Sequence, residues 1–263
     1  MNNYSPSKTK QNCKIAIIGI GVNYPGAKNS LQLWENILAR RQQFREMPDS
    51  RLPIKDYYDP DPSVADKTYQ KKAAVLDGYA FDWLDRKIPK STYESTDIVH
   101  WLALDTALQS LSDARIHDFS FARETTGVVV GNTLTGEFTR SNHMLLRWPY
   151  VKKALHASLK KKGLLHVKDG LEVALEKYYK SVFAPVTEDT LAGGLANTIA
   201  GRICNYLDVH GGGFIVDGAC SSSLLAICTA ANYLELGQMD MVIAGGVDIS
   251  LDTFELIGFA KTG

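Results

Sequence analysis

The sequence predicts an α/β fold in which helices pack against a largely parallel sheet. Three short apolar runs end in glycine and do not alternate with polar residues: 15–18 (IAII), 128–130 (VVV) and 241–244 (MVIA). Strands that are buried on both faces of a layered sheet have this composition. Helical patterns lie between the runs, and the resulting order of strand, helix, helix, strand, helix and strand is typical of the α/β class.

The chain begins with polar residues 1–13, which contain Pro6 and have no periodicity, so they are predicted to be a flexible leader. The folded region is predicted over residues 14–263. Basic residues precede the first apolar run as they do in a secretory signal, but Asn23-Tyr24-Pro25 offers no cleavage site of small residues. No apolar run approaches the roughly 18 residues that a membrane span needs, which predicts no membrane association.

Two amphipathic helices are predicted in the first half of the chain. The clearer one covers residues 96–114, with Ser95 as its N-cap. Its apolar residues recur at steps of three and four, at Ile98, Trp101, Leu102, Leu108 and Leu111. The other covers residues 31–38, with Ser30 before it.

One segment of the chain is strongly basic. Residues 147–168 contain seven Lys or Arg and no Asp or Glu. Such a run is typical of a solvated insertion with a charged face, and it is also suited to receive an acidic partner. The sequence leaves both interpretations open.

The composition excludes several classes of protein. Lys and Arg number 29, as do Asp and Glu, so the net charge is zero and no global positive field favours nucleic acid. The four cysteines are too few and too scattered for a disulfide framework, which predicts a cytoplasmic protein. No metal-binding spacing occurs, and Tyr24 occupies the place of the third glycine of a dinucleotide fingerprint. Neither a metal nor a bound organic cofactor is expected.

The most informative segment is residues 213–228, which predicts a buried strand (214–216), a glycine-bearing corner and a helix that continues to about Leu236. Gly237 is the predicted residue that ends this helix. Apolar residues cover much of the helix circumference, so the helix is expected to be buried along its length; these residues are Leu224, Leu225, Ile227, Cys228, Ala231 and Leu234.

Cys220 falls at that corner. Unsatisfied backbone amides and the positive end of the helix dipole stabilise a thiolate at the first turn of a helix. The same amides can hold the oxyanion of a tetrahedral acyl intermediate. Cys220 is therefore a candidate nucleophile, although its local surroundings equally fit an inert buried thiol. Cys13, Cys204 and Cys228 lie at no such corner and are expected to be inert.

The corner motif, residues 216–224 (VDGACSSSL), resembles the active-site signature of the β-ketoacyl synthases. Further segments match the family in order: 14–26 (KIAIIGIGVNYPG), 33–35 (LWE), 197–206 (NTIAGRICNY) and 244–247 (AGGV). Residues 131–137 (GNTLTGE) and the basic insertion are most similar to iterative type I polyketide synthases. The resemblance covers the N-terminal portion of a ketosynthase domain, residues 14–263.

The resemblance implies a thiolase-like αβαβα sandwich, usually dimeric, of which this chain supplies the N-terminal half. It also implies that an acyl group moves from the phosphopantetheine of an acyl carrier protein to Cys220. A malonyl thioester on the carrier then loses carbon dioxide, and the resulting carbanion attacks the acyl-enzyme. The implied partners are thus an acyl carrier protein and acyl and malonyl thioesters.

The chain departs from the family pattern at three points. Gly218 stands where the family usually has threonine, and Arg115 stands where a helix-ending glycine is common. The family's two catalytic histidines belong to a His-Gly-Thr-Gly-Thr motif and a later Gly-His motif, and the sequence ends before reaching them. Six histidines are present outside those contexts and are expected to be structural or superficial: His100, His117, His143, His156, His166 and His210.

Three hypotheses follow from the sequence. The first is a ketosynthase whose nucleophile is Cys220 and whose chain as given is inactive alone. The second is a non-catalytic partner subunit similar to a chain-length factor, which the presence of Cys220 disfavours. The third is a half-domain that is unstable by itself because its apolar surface is uncovered.

Overall fold

The computed structural model describes residues 14–116, 120–133, 136–249 and 252–262, so the predicted leader over residues 1–13 lies outside the described residues. The strands are β1 (Arg45–Glu46), β2 (Lys72–Ala73), β3 (Thr126–Gly131), β4 (Gly213–Val216) and β5 (Met241–Gly246). The helices are α1 (Ser30–Leu38), α2 (Lys90–Glu94), α3 (Ile98–Asp113), α4 (Glu137–Leu146), α5 (Trp148–Lys161), α6 (Lys168–Ser181), α7 (Thr190–Gly194), α8 (Asn197–Leu207), α9 (Ser222–Glu235) and α10 (Thr253–Thr262).

The chain forms two compact units. Unit 1 comprises residues up to 42, 102–133 and 197–247, and unit 2 comprises residues 43–101, 134–196 and 248 onward. The division falls inside α3. In the described ranges, every helix is too short or too polar to cross a membrane.

Unit 1 is built on a parallel sheet in the order β4-β3-β5. All six residues of β3 are buried, which confirms the central strand predicted at 128–130. A Cβ added to Gly213 of β4 would meet Cys204 of α8, whereas one added to Gly131 of β3 would meet Ser222 of α9. Gly213 pairs with Val128, and side chains at positions 128 and 131 point to opposite faces. The sheet therefore lies between α8 and α9.

The predicted first strand, residues 15–18, is wrong. Residues 14–23 belong to no strand or helix, and Ile17 is 83% exposed. The amides of Ile20 and Val22 donate to side chains of α3, Asp113 at 2.8 Å and Gln109 at 2.9 Å. Composition alone does not distinguish an apolar segment that pairs with strands from one that lies against a helix.

The two predicted helices are confirmed as α3 and α1, but their N-caps each lie elsewhere. Asp97 caps α3, because its Oδ1 accepts the Val99 amide at 3.0 Å, and the predicted cap Ser95 instead lies just after α2. Asn29 caps α1, because its side chain accepts the Gln32 amide at 2.9 Å. In both cases a better acceptor, Asp or Asn, stands close to the predicted serine.

The C-terminus of α3 requires a left-handed residue, and Arg115 provides it with φ of 59°. The Arg115 amide donates to the Ser112 carbonyl and the Ile116 amide to the Leu111 carbonyl, both at 2.9 Å. This pair of bonds is a Schellman motif, in which glycine is the usual left-handed residue. The departure from the family pattern therefore carries a backbone strain.

Replacing Arg115 by glycine is expected to raise the free energy of unfolding by about 1 kcal/mol, because a side chain in the left-handed region costs about 1–2 kcal/mol and glycine is more flexible when unfolded. Urea denaturation measures the change. Arg115→Ala is the control, since it removes the guanidinium and retains the Cβ. An equal gain in both variants would trace the effect to the charge and contradict the backbone explanation.

Unit 2 contains an aromatic cluster and a half-buried ion-pair network. Phe81 stacks on Trp101 with ring centroids 4.9 Å apart. Arg140 of α4 pairs with Asp252, and it lies 3.8 Å from Glu255 of α10. Burial, followed by repulsion from neighbouring carboxylates, raises the pKa of Glu255 to about 7. The charged groups that act on Glu255 are Asp248, Asp252, Glu137 and Arg140.

We expect Glu255→Gln to stabilise the protein at pH 8 by about 2 kcal/mol and to have little effect at pH 4.5. The folded pKa exceeds the ordinary value of about 4.3, so the contribution of Glu255 to stability is present below pH 4.3 and is lost as the pH rises through 7. Glutamine keeps the uncharged form at every pH. Denaturation midpoints across pH 4.5–8 measure the difference between variant and wild type, and a difference that stays constant with pH would refute the expectation.

The control is Glu94→Gln, which removes an exposed carboxylate 3.5 Å from Lys90 and should change stability by less than about 0.5 kcal/mol throughout the range.

The basic segment 147–168 forms α5 and the turn into α6. Trp148 and Leu159 of α5 are buried. Glu172 of α6 pairs with Lys152 and lies 2.8 Å from His156, and the hydrogen bonds from Lys152 and then His156 lower the pKa of Glu172. The insertion is thus helical, and part of its charge is neutralised internally. Lys160, Lys161 and Lys162 are exposed, and an acidic partner for them stays a prediction.

Candidate active site

The predicted strand-to-helix corner is present in unit 1. β4 ends at Val216, a 3-10 turn covers Ala219–Ser221, and α9 begins at Ser222. Cys220 occupies the middle of the 3-10 turn and is exposed. Ala219, the residue before it, has a left-handed backbone with φ of 51°. The sulfur therefore stands at the amide-rich start of a helix and is open to a reagent.

α9 is not buried along its length, as the sequence suggested. Only Ser222, Ala226 and Ala230 are buried, one residue from each successive turn, whereas Leu224 is 65% exposed. The sheet covers one side of the helix, so the small residues that fit close to strands are buried and the larger ones point away. Gly237 does end the helix as predicted, with φ of 64°.

The corner is held by a carboxylate that the sequence interpretation did not assign. One oxygen of Asp217 accepts the Ala219 amide at 2.8 Å and the Thr133 hydroxyl at 2.9 Å. These two hydrogen bonds, the amide first, lower the pKa of Asp217. The positions of residues 133 and 217 could have indicated this contact. Each follows the end of a parallel strand, and such ends meet at one edge of the sheet.

Ser222 closes the corner from the helix side. Its hydroxyl accepts the Gly218 amide at 3.0 Å and donates to the Ala219 carbonyl at 2.7 Å. A Cβ added to Gly131 would lie 2.5 Å from the Ser222 carbonyl carbon. Glycine at the end of β3 therefore lets the start of α9 approach the sheet closely.

Gly218 changes the surroundings of the sulfur only slightly. A Cβ there would lie 2.8 Å from the hydroxyl of Ser221, which now donates to the Gly218 carbonyl at 2.7 Å. The hydroxyl is the end of a short side chain that can rotate. A threonine, as the family usually has, would thus require Ser221 to take another rotamer.

The other cysteines and the histidines differ in exposure and in their partners. Cys204 of α8 is half-buried, and burial raises the pKa of its thiol. Cys228 is exposed on α9, so it is accessible, which a buried helix would not have allowed. His100 is fully buried, and His210 lies 3.1 Å from Asp208. Cys13 and His117 lie outside the described residues. Among the described residues, no group of His, Cys, Asp and Glu is arranged to hold a metal.

The architecture is the thiolase-like fold of ketosynthase domains. An oxazolomycin ketosynthase domain from Streptomyces albus superposes with a TM-score of 0.68 and 24% identity, over 94% of this chain and 36% of that chain. The PfaC keto synthase–chain length factor superposes with a TM-score of 0.75 and 22% identity, over 93% of this chain and 25% of that chain.

The sequence defines the family within that fold. The family described as "Beta-ketoacyl synthase, N-terminal domain" matches residues 12–263. The chain therefore belongs to the β-ketoacyl synthase family, as the corner motif suggested.

The sequence relatives are large synthases. One component of the polyunsaturated fatty acid synthase of Thraustochytrium sp. is 29% identical over 249 residues, which are 95% of this chain and 9% of that protein. A mycocerosic acid synthase-like polyketide synthase of Mycolicibacterium smegmatis is 32% identical over 257 residues, or 96% of this chain and 10% of that protein. The chain thus spans about a tenth of each relative.

Proposed function

We propose that Cys220 is the nucleophile of a ketosynthase that forms carbon–carbon bonds in polyketide or fatty-acid-like synthesis. The observation that carries the proposal is an exposed thiol at a strand-to-helix turn, within a family signature. The chain supplies the acyl-holding side of the reaction. We expect it to act in the cytoplasm as a homodimer with an acyl carrier protein, whose phosphopantetheine arm is part of the substrate and not a resident cofactor.

The proposed reaction has two steps. The Cys220 thiolate attacks the carbonyl carbon of an acyl thioester, and the C–S bond to the phosphopantetheine sulfur breaks, which releases the carrier's thiolate. We propose that a backbone amide at this corner receives the negative oxygen of the tetrahedral intermediate. A malonyl thioester then loses carbon dioxide, and its α-carbon attacks the acyl carbon and expels the Cys220 thiolate.

The second step needs hydrogen-bond donors for the enolate that decarboxylation creates. The resemblance assigns this task to two histidine motifs that residues 1–263 do not contain. We therefore propose that this chain alone is inactive in condensation, and we assign to it only the capture of the acyl group.

The test is acylation of the protein by a short radiolabelled acyl group on an acyl carrier protein. We expect one label per chain, recovered on the peptide that contains Cys220 and absent from Cys220→Ala. Cys228→Ala is the matched control, because it removes an exposed thiol from α9, the helix that follows the Cys220 turn, and should retain the label. A label that persists at the same site in Cys220→Ala, or none in the wild type, would refute the proposal.

The alternative is a chain-length-factor-like protein, and its supporting observation is the likeness to a structure whose name includes a chain length factor. Such a protein is expected to take no acyl label and no stoichiometric modification by a cerulenin-like reagent at residue 220. The two functions are thus separated by one labelling experiment.

A further inference from the structure

Asp217 links two strand ends to the turn that carries Cys220. It follows the last residue of β4, and Thr133 lies two residues beyond the end of β3. Asp217 Oδ1 accepts the Thr133 hydroxyl at 2.9 Å and the Ala219 amide at 2.8 Å. One oxygen atom thereby joins the edge of the sheet to the backbone immediately before Cys220.

The backbone at that point is in a conformation that it would not adopt by itself. Ala219 has φ of 51°, and an L-residue in the left-handed region costs roughly 1–2 kcal/mol. The Ser222 hydroxyl accepts the Gly218 amide and donates to the Ala219 carbonyl, so it holds the backbone before and after the Ala219 Cα. Hydrogen bonds therefore hold the turn from both the sheet side and the helix side.

We propose that Asp217, oriented by Thr133, is a positioning residue that holds Ala219 left-handed and so directs the Cys220 sulfur to its thioester substrate. The proposal rests on the proposed function, since it assigns the task of Asp217 in the acyl-transfer step. Asp217 acts through the backbone and does not contact the substrate. Its two hydrogen bonds, the Ala219 amide first, lower its pKa.

The experiment measures single-turnover acylation of Cys220 in the full-length protein. Asp217→Ala is expected to lower the maximal rate about 10- to 100-fold at an unchanged half-saturating thioester concentration, because a displaced nucleophile slows the chemical step and leaves binding intact. Asp217→Asn retains an oxygen that can accept both donors and should stay within about 3-fold of wild type. An asparagine variant as slow as the alanine variant would overturn the proposal, because the charge and not the geometry would then matter.

A second substitution distinguishes positioning from a general loss of stability. Glycine adopts positive φ readily, so Ala219→Gly removes the need to hold the turn. The double variant Asp217→Ala with Ala219→Gly is therefore expected to recover at least about 5-fold of the lost rate. No recovery in a double variant that retains a cooperative melt would overturn the proposal. Should Asp217→Ala fail to fold, Thr133→Val against Thr133→Ser gives the same comparison through the other hydrogen bond.

Alkylation separates this proposal from the proposed function. Iodoacetamide reacts with any accessible thiolate, and Cys228 is an exposed internal reference on the same chain. We expect Asp217→Ala to lower the ratio of Cys220 to Cys228 alkylation by at least about 3-fold, and Asp217→Asn to preserve it. If wild type takes no acyl label and this ratio still falls, the proposed function fails and the positioning stands. If the ratio is unchanged, the positioning fails.

Discussion

Replacing Gly131 by alanine is expected to lower the free energy of unfolding by about 3 kcal/mol, the upper part of the range for overpacked sites. The added Cβ would lie 2.5 Å from both the carbonyl carbon and the oxygen of Ser222, and 2.8 Å from the Ser223 nitrogen. All three are backbone atoms, so neither a rotamer change nor a small side-chain shift relieves the clash. The start of α9 has to move away from β3, and the Cys220 turn moves with it.

The neighbouring strand provides two matched controls for this substitution. A Cβ at Gly245 of β5 would meet no atom of the described residues within 4 Å, so Gly245→Ala is expected to change stability by less than about 0.5 kcal/mol. A Cβ at Gly246 would lie 2.7 Å from the Ser223 Cβ, and Gly246→Ala should be intermediate. Urea denaturation of the three variants checks the order. Equal losses at 131 and 245 would show that strand propensity, and not the approach of α9, sets the cost.

In unit 1, apolar composition predicted one strand correctly and another wrongly. Residues 128–130 form the middle of a fully buried strand because they are apolar without alternation. Residues 15–18 have the same composition and form no strand. The difference lies in Gly19 and Gly21, whose added Cβ atoms would lie 2.1 and 2.0 Å from carbonyl oxygens of α3. Such contact with a distant helix leaves no local signal beyond the glycines themselves.

The sequence predicted the turn that carries Cys220, but it did not predict the hydrogen bonds that hold this turn. Cys220 lies at the predicted corner because a strand, small residues and a helix follow one another directly in the sequence. The hydrogen bond between Thr133 and Asp217 joins residues 84 positions apart, and no periodicity relates them. The strain at Ala219 was equally hidden, since alanine does not mark a left-handed position as glycine does. Local patterns thus located the turn that carries the proposed nucleophile, and only tertiary structure revealed the hydrogen bonds that support it.

Removal of the Asp97 side chain is expected to lower the free energy of unfolding by about 3 kcal/mol, because this buried carboxylate accepts amides from the first turns of α3 and α4. Its Oδ1 accepts the Val99 amide in α3 at 3.0 Å, and its Oδ2 accepts the Phe138 amide in α4 at 2.9 Å. Burial raises the pKa of Asp97, and these amide bonds act against that rise. Asp97→Ala loses an N-cap and leaves a second helical amide without its acceptor, at about 1–2 kcal/mol each. Asp113→Ala, which removes an exposed acceptor at the other end of α3, should cost less than about 1 kcal/mol.

A double-mutant cycle with Gly136 tests whether the loss of stability in Asp97→Ala comes from removal of the carboxylate at the start of α4. Gly136 precedes α4 with φ of 135°, and an added Cβ would lie 2.5 Å from Asp97 Oδ2. Gly136→Ala alone therefore carries a backbone strain and a clash with the carboxylate, whereas in the Asp97→Ala background only the strain remains. The losses of unfolding free energy in the two single variants are expected to add up to at least about 1 kcal/mol more than the loss in the double variant. This difference is the coupling energy expected of two groups in contact. Additive losses would mean that the carboxylate does not lie against Gly136, and the assignment of Asp97 as the shared cap of α3 and α4 would fail.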